Sequence, residues 1–284
     1  MDHGARRAMI RRALNQKTAC HLPFEAFLDL AQSLQCIGVE PRNDLGRPLF
    51  DGHAPQEAGR MARQRGLRLL SLSEVYPFND WNGARAQQVR DLIGIAHASG
   101  AEAVSLIPRV DGINCGQQAR QRILRTVMRE ILPMLDGTEV TALIEPIGFA
   151  GSSLRRKAEL ADAIEAVGGP GKFKLIHDTF QHAIARETEI FAPYTGMVHI
   201  SGISDPAVPL DETQDARRVL IDAGDRCGNI EQITALIAAG YAGAFSFEHT
   251  DTSFQLSKFL KDRILESFQY IEARIEPRRV QPTY

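Results

Sequence analysis

One alternation constrains the fold of this chain more than any other feature. Eight short runs are rich in β-branched or apolar residues: Arg12–Asn15, Cys36–Pro41, Arg68–Val75, Ala101–Pro108, Val140–Ile147, Phe173–Asp178, Met197–Gly202 and Gly243–His249. Between and after them lie eight longer helix-like segments: Phe24–Leu34, Pro55–Arg65, Ala84–Ser99, Gln118–Leu135, Leu154–Val167, Gln181–Phe191, Ile230–Ala239 and Phe254–Glu272. Strand–helix alternation implies parallel strands joined by right-handed crossovers. Gly66, Gly100, Gly168 and Gly240 follow helical segments, where a left-handed cap ends a helix. Pro23 and Pro55 stand where a first helical turn tolerates proline.

Eight such units predict an α/β chain closed into a single (β/α)₈ TIM barrel. An open doubly wound sheet would usually show a glycine-rich phosphate loop after its first strand. Here the first run is followed by Gln16-Lys17-Thr18-Ala19-Cys20, without glycine. The 284 residues exceed a typical barrel of about 250. The surplus falls in the irregular stretch Ser204–Asn229 and in tails at about residues 1–10 and 277–284. One domain over residues 1–284 is expected, with no internal linker.

Charge narrows the partners. Lys and Arg total 33 against 35 Asp and Glu, a net of −2, whereas a phosphate-backbone footprint is strongly basic. Nucleic acid is therefore not expected. No apolar run approaches the roughly 20 residues of a membrane span, and Met1–Arg12 is basic without a signal peptide's apolar core. Cys20, Cys36, Cys115 and Cys227 are scattered with no C-x-x-C pair. They read as reduced thiols in a cytoplasmic protein.

Barrel sites lie at the C-terminal ends of the strands. The fifth run ends at Glu145, the sixth at His177 and Asp178, the seventh carries His199, and the eighth carries Glu248 and His249. Charged groups at four consecutive strand mouths repel one another unless offset, and a divalent cation offsets them. Three carboxylates with one imidazole suit Mn²⁺ first, then Co²⁺, Mg²⁺ or Zn²⁺, with positions left for substrate. Glu145, Asp178, His199 and Glu248 are thus the expected ligands of one metal ion. Two glutamates flanking such an ion suggest proton chemistry on a hydroxy-ketone, through a metal-stabilised enediolate. Glu145 and Glu248 are the expected acid/base pair.

This set resembles the metal site of the xylose isomerase-like TIM barrels, the sugar phosphate isomerase/epimerase superfamily. Ketose 3-epimerases, hydroxypyruvate isomerases, inosose isomerases and dehydratases, and the endonuclease IV nucleases belong to it. Ala13-Leu14-Asn15, Gly38-Val39-Glu40-Pro41-Arg42-Asn43-Asp44, Glu145-Pro146-Ile147-Gly148-Phe149 and Ser152-Ser153-Leu154-Arg155 resemble its inosose (2-keto-myo-inositol) isomerase and rhizopine-catabolism branch. So do His177-Asp178-Thr179-Phe180, His199-Ile200-Ser201-Gly202 and the stretch from Asp225-Arg226 to Asn229. The resemblance covers nearly the whole chain. It implies a small polyol-ketone or sugar substrate, inositol catabolism, and the dimers or tetramers common among relatives. Relatives usually have His three residues after the sixth-strand Asp; here Gln181 stands there and His182 follows. Many inositol-type relatives have His where Gln16 stands. Either Gln181 or His182 is expected to touch substrate.

Other candidates have a plainer reading beside the functional one. Glu40 and Glu74 would bind substrate hydroxyls or pair with Arg42 or another arginine. Trp81, with Phe78 and Tyr76, would wall a sugar ring or simply pack its loop. Arg155 would reach a substrate oxygen or cap its helix. Arg217 or Arg218, in the long loop, would close over substrate, and Asp205 would position loop or site. His177, His249 and His97 read as structural.

The expected activity is isomerisation of a polyhydroxy ketone, 2-keto-myo-inositol first. The alternatives are 3-epimerisation of a free ketose and dehydration of an inosose or shikimate-type substrate. A non-catalytic sugar-binding barrel fits a complete ligand set less well. A nuclease would need further histidine ligands, where Glu74 and Pro108-Arg109 stand instead.

Overall fold

A computed structural model of the chain describes residues 9–113 and 115–275. The expected tails fall almost wholly outside them. Among the described residues, nine parallel strands form the sheet: β1 Arg11–Asn15, β2 Gly38–Glu40, β3 Arg68–Leu69, β4 Leu72–Val75, β5 Ala103–Leu106, β6 Thr141–Ile144, β7 Phe173–Asp178, β8 Thr195–Ile200 and β9 Ala244–Phe247. Their order is β3-β2-β1-β9-β8-β7-β6-β5-β4. Both ends of that order belong to the single run Arg68–Val75, interrupted only at Leu70-Ser71. Leu70 N donates to Val39 O (2.8 Å) and Ser73 N to Pro41 O (3.0 Å), so pairing continues across the break. Nine strand segments therefore occupy eight barrel positions, as the alternation predicts.

The helices α1 Phe24–Ser33, α2 Pro55–Gln64, α3 Gly83–Ser99, α4 Gln117–Ile131, α5 Lys157–Ala166, α6 Thr179–Ile184, α7 Asn229–Ala238, α8 Thr252–Gln255 and α9 Leu260–Glu272 surround the sheet. Gly100 ends α3 at φ 74°, a left-handed cap that a side chain would strain. Four helices differ from expectation by more than a residue; the fourth ends at Ile131 rather than Leu135. The helix expected over Gln181–Phe191 starts earlier and is shorter, because Asp178 Oδ1 accepts from Gln181 N (2.9 Å) and caps it directly off β7. The fifth helix starts at Lys157 rather than Leu154, and the last splits into α8 and α9. No described helix is long and apolar enough to cross a membrane.

Two apolar layers follow from the pleat. A large core lies between helices and sheet. A small one fills the lower barrel, from Ala13, Leu70, Ala103, Leu143, Ile176, Met197 and Ala244. Side chains alternate along a strand, so residues two further on share that inward face. Leu143 leads to Glu145, Ile176 to Asp178 and Met197 to His199. The barrel is thus apolar below and ionisable directly above.

Closure is also secured at the chain's two ends. Arg12 in β1 forks onto Glu272 in α9 (Nε–Oε1 2.9 Å, Nη2–Oε2 2.7 Å), both nearly buried. Removing one member strands a buried charge. Arg12→Ala should therefore lower stability by about 3–5 kcal/mol in urea unfolding. The double replacement of Arg12 and Glu272 by Met should recover most of it.

Candidate metal centre and active site

Glu145, Asp178, His199 and Glu248 converge at the barrel mouth, each offering a ligand atom within 4.8 Å of the others. All four are buried. His199 Nδ1 lies 3.1 Å from Glu248 Oε2, 3.7 Å from Glu145 Oε2 and 3.9 Å from Asp178 Oδ2. Its Nε2 meets Glu40 Oε2 at 3.0 Å, which fixes the ring. Nδ1 itself has no hydrogen-bond partner among the described residues, although His199 is only 1 % exposed. A buried nitrogen without a well-formed hydrogen bond, ringed by three carboxylates, has the donor chemistry of a divalent-metal site. These residues fit such an ion.

Charge is distributed unequally. Burial, then the charge of Glu248, pushes Glu145 well above the usual carboxylate range. Asp178 is raised by burial, against the pull of Arg218. Burial also acts on Glu248, but His199 and Arg218 outweigh it and hold that carboxyl well below its usual value. For His199, burial disfavours the proton, yet Glu40 and Glu248 outweigh it and raise the imidazole well above its usual value.

Two arginines supply the compensating charge. Arg218 donates to Asp178 Oδ2 and Ser201 Oγ (2.8 Å), and its Nη2 lies 3.1 Å from Glu248 Oε2. It comes from the long loop after β8, placed over the mouth by that loop's return. Arg42, two residues past β2, reaches Glu248 Oε1 (2.8 Å) and Glu74 Oε2 (2.7 Å), and forks onto Asp44. Glu248 is held from both sides.

Above the four residues opens a cavity of about 410 Å³. Glu145, Glu248, Gln181, Glu74, Arg42 and Arg218 line it. Tyr76, Ile107, Val110, Ile147 and Phe149 give it an apolar side. Gln181 is fixed by its Oε1, which accepts from Gly148 N (2.8 Å). A Cβ on Gly148 would meet Gln181 O at 2.2 Å, so only glycine permits this approach.

The remaining candidates lie off the cavity. His182 Nδ1 meets Lys157 Nζ at 2.6 Å, Lys157 pairs with Glu187 (2.5 Å), and the His182 ring lies 5.0 Å from that of His177. Glu40 stands behind His199, fully buried. Trp81 packs against the outer core, so the aromatic rings at the cavity are Tyr76 and Phe149. Arg155 Nε donates to Gly148 O (2.6 Å) and Nη2 to Ile184 O (3.3 Å), bracing the loop after β6. Arg217 pairs with Asp205 at the surface (3.0 Å). Sequence reasoning named Arg42 only as a partner for other groups. Its signal was its position: Gly38, Glu40 and Arg42 share the inward period of two.

The model of the xylose isomerase-like TIM barrel family matches residues 28–274. The chain belongs to that family. No curated protein matches it significantly. A xylose isomerase domain-containing protein from Salmonella typhimurium LT2 is 26% identical, with a TM-score of 0.83 over 96% of this chain and 100% of that one. The IolI protein with a bound zinc atom is 13% identical, with a TM-score of 0.83 over 94% and 99%. A D-allulose 3-epimerase from Methylomonas sp., in complex with D-allulose, is 14% identical, with a TM-score of 0.68 over 94% and 97%. This member of the family carries a group that could bind a metal at its barrel mouth.

The charge arrangement predicts opposite pH trends with and without metal. His199 and Glu145 both hold protons more tightly folded than unfolded. Their contribution to metal-free stability is fully present below their unfolded values and is lost as pH rises through the folded ones. Metal binding needs both groups deprotonated, so it strengthens over the same rise. Thermal unfolding with excess chelator should show the melting temperature falling as pH is raised above about 6.5. With Zn²⁺ at a hundredfold excess over its Kd, about 2.7 kcal/mol should be restored, and His199→Ala should abolish this.

Proposed function

We propose that this protein is a divalent-metal-dependent isomerase of a polyhydroxy ketone, with 2-keto-myo-inositol as the first candidate substrate. One observation carries the reading. Two glutamates at the floor of a cavity sized for a small sugar flank a buried imidazole nitrogen that makes no well-formed hydrogen bond. Glu145, Asp178, His199 and Glu248 would hold the ion, and the zinc atom bound in the IolI structure supports a divalent metal. Mn²⁺ is the first choice, with Co²⁺, Mg²⁺ and Zn²⁺ behind it. When bound, a divalent ion supplies Lewis acidity at the ketone oxygen and offsets the negative charge of the enediolate.

The protein's own groups do the rest. One glutamate takes the proton from the carbon beside the carbonyl, and the other supplies or accepts a proton on the neighbouring position. Arg42 and Arg218 hold Glu248 at both oxygens, which keeps its carboxyl ionised and in place. Glu145, raised by burial and by Glu248, is suited to carry a proton. Gln181, Glu74 and Arg218 present hydrogen-bonding groups to substrate hydroxyls, and Ile107, Val110, Ile147 and Phe149 keep water from one wall. His182 and Arg155 are assigned to supporting the loops beside the cavity, and Trp81 to packing.

Likeness to the D-allulose 3-epimerase favours a second reading, 3-epimerisation of a free ketose. It shares proton removal and differs in where the proton returns. Both readings predict solvent deuterium entering the substrate. The metal-loaded protein in heavy water should incorporate deuterium into one of 2-keto-myo-inositol, D-fructose, D-tagatose or hydroxypyruvate. Glu145→Gln and Glu248→Gln should each slow exchange by about 10²–10⁴. Near-normal exchange in either variant would rule out the two-glutamate mechanism, and no exchange with any substrate would rule out the reading.

A further inference from the structure

A second groove meets the cavity at its rim. Asp44, Glu74 and Tyr76 border both. The groove encloses about 520 Å³, against about 410 Å³ for the cavity itself. It runs outward between the segment after β2 and the flank of α3. Leu49, Val75, Leu92 and Ile95 give it an apolar floor, while Asn43, Arg85, Gln88 and Asp91 supply polar groups along it.

Tyr76 stands where the two spaces meet, 47% exposed. Its backbone is held in place: Arg85 Nη1 donates to Tyr76 O (2.6 Å). The residue before the preceding one is held as well. Asn43 Nδ2 donates to Glu74 O (3.2 Å) and accepts at Oδ1 from Glu74 N (2.9 Å). The wall shared by cavity and groove is thus pinned to the segment after β2. An aromatic face on fixed backbone, beside an apolar floor edged by amides, a guanidinium and a carboxylate, matches the two-sided chemistry of a pyranose. Its C–H face would lie on the ring and its hydroxyls would meet the polar edge.

We infer that the groove is a second sugar subsite and that the substrate is a glycosylated polyhydroxy ketone. The keto ring occupies the cavity above Glu145 and Glu248, and the attached ring lies against Tyr76 in the groove. The assignment of the inner ring rests on the function proposed above; the groove's affinity for an outer ring can be measured without turnover.

Isothermal titration of the zinc-loaded protein tests it with matched pairs. Galactosyl-myo-inositol is compared with myo-inositol, and the glucosyl-fructoses turanose, maltulose and isomaltulose with D-fructose. At least one disaccharide should bind about tenfold more tightly than its own single-ring partner. The pair that shows the gain distinguishes a cyclitol core from a ketose core. Gln88→Trp, which fills the groove from the exposed side of α3, should cancel the gain and leave single-ring affinity unchanged. A gain that survives Gln88→Trp, or no disaccharide binding more tightly than its partner, would overturn the subsite. Deuterium exchange on the free ketones tests the inner site separately, so each idea can fail alone.

Discussion

Three carboxylates and an imidazole share a space in which their ligand atoms lie within 4.8 Å of one another, shielded from water. Like charges at such range in a low-dielectric interior oppose each other strongly. Much of the barrel mouth is arranged in response. Arg218 arrives on the long loop after β8, and its backbone oxygen accepts from Thr250 N (3.1 Å) and Asp251 N (3.0 Å), which ties that loop to the segment after β9. Arg42 joins the ends of β2, β4 and β9 through Asp44, Glu74 and Glu248. The arginines neutralise part of the charge, and the raised proton affinity of Glu145 absorbs more. His199 Nδ1 is still left without a well-formed hydrogen bond, and a bound cation would complete the balance.

The same crowding explains why the chemistry is placed where it is. The lower barrel is closed by Ala13, Leu70, Ala103, Leu143, Ile176, Met197 and Ala244, so ionisable groups are confined to the layer above. Asp178 combines two duties: its Oδ1 caps α6 and its Oδ2 faces His199 and Arg218. A short helix starting directly off β7 therefore orients a candidate ligand. Glu40, buried behind His199, fixes the tautomeric face of the ring from an oxygen 159 residues away in sequence.

Much of this was legible in the sequence because it follows from period. Alternation of strand and helix textures predicts the barrel, and the period of two places Glu145, Asp178, His199 and Glu248 on the inward face at strand ends. Split strand Arg68–Val75 still reads as one run, since its break changes hydrogen bonding and not hydropathy. What could not be read depends on side chains reaching across the barrel. The Arg42–Glu248 contact joins residues 206 apart, and nothing local to Arg42 specifies it. His182 looked like a pocket residue by its place after Asp178, but α6 begins at Thr179 and turns it toward Lys157. Trp81 is the lone tryptophan, yet it packs against the core, and Tyr76 and Phe149 supply the aromatic rings at the cavity.

The four converging residues could hold a metal ion, and the arginines only partly balance their charge. Anomalous diffraction at the zinc edge, on crystals grown with Zn²⁺, tests it most directly. One strong peak is expected, bonded to His199 Nδ1 at about 2.0–2.1 Å, with oxygens of Glu145, Asp178 and Glu248 at about 2.0–2.2 Å. A map with no peak beside His199 Nδ1, or with zinc held only elsewhere on the protein, would contradict it.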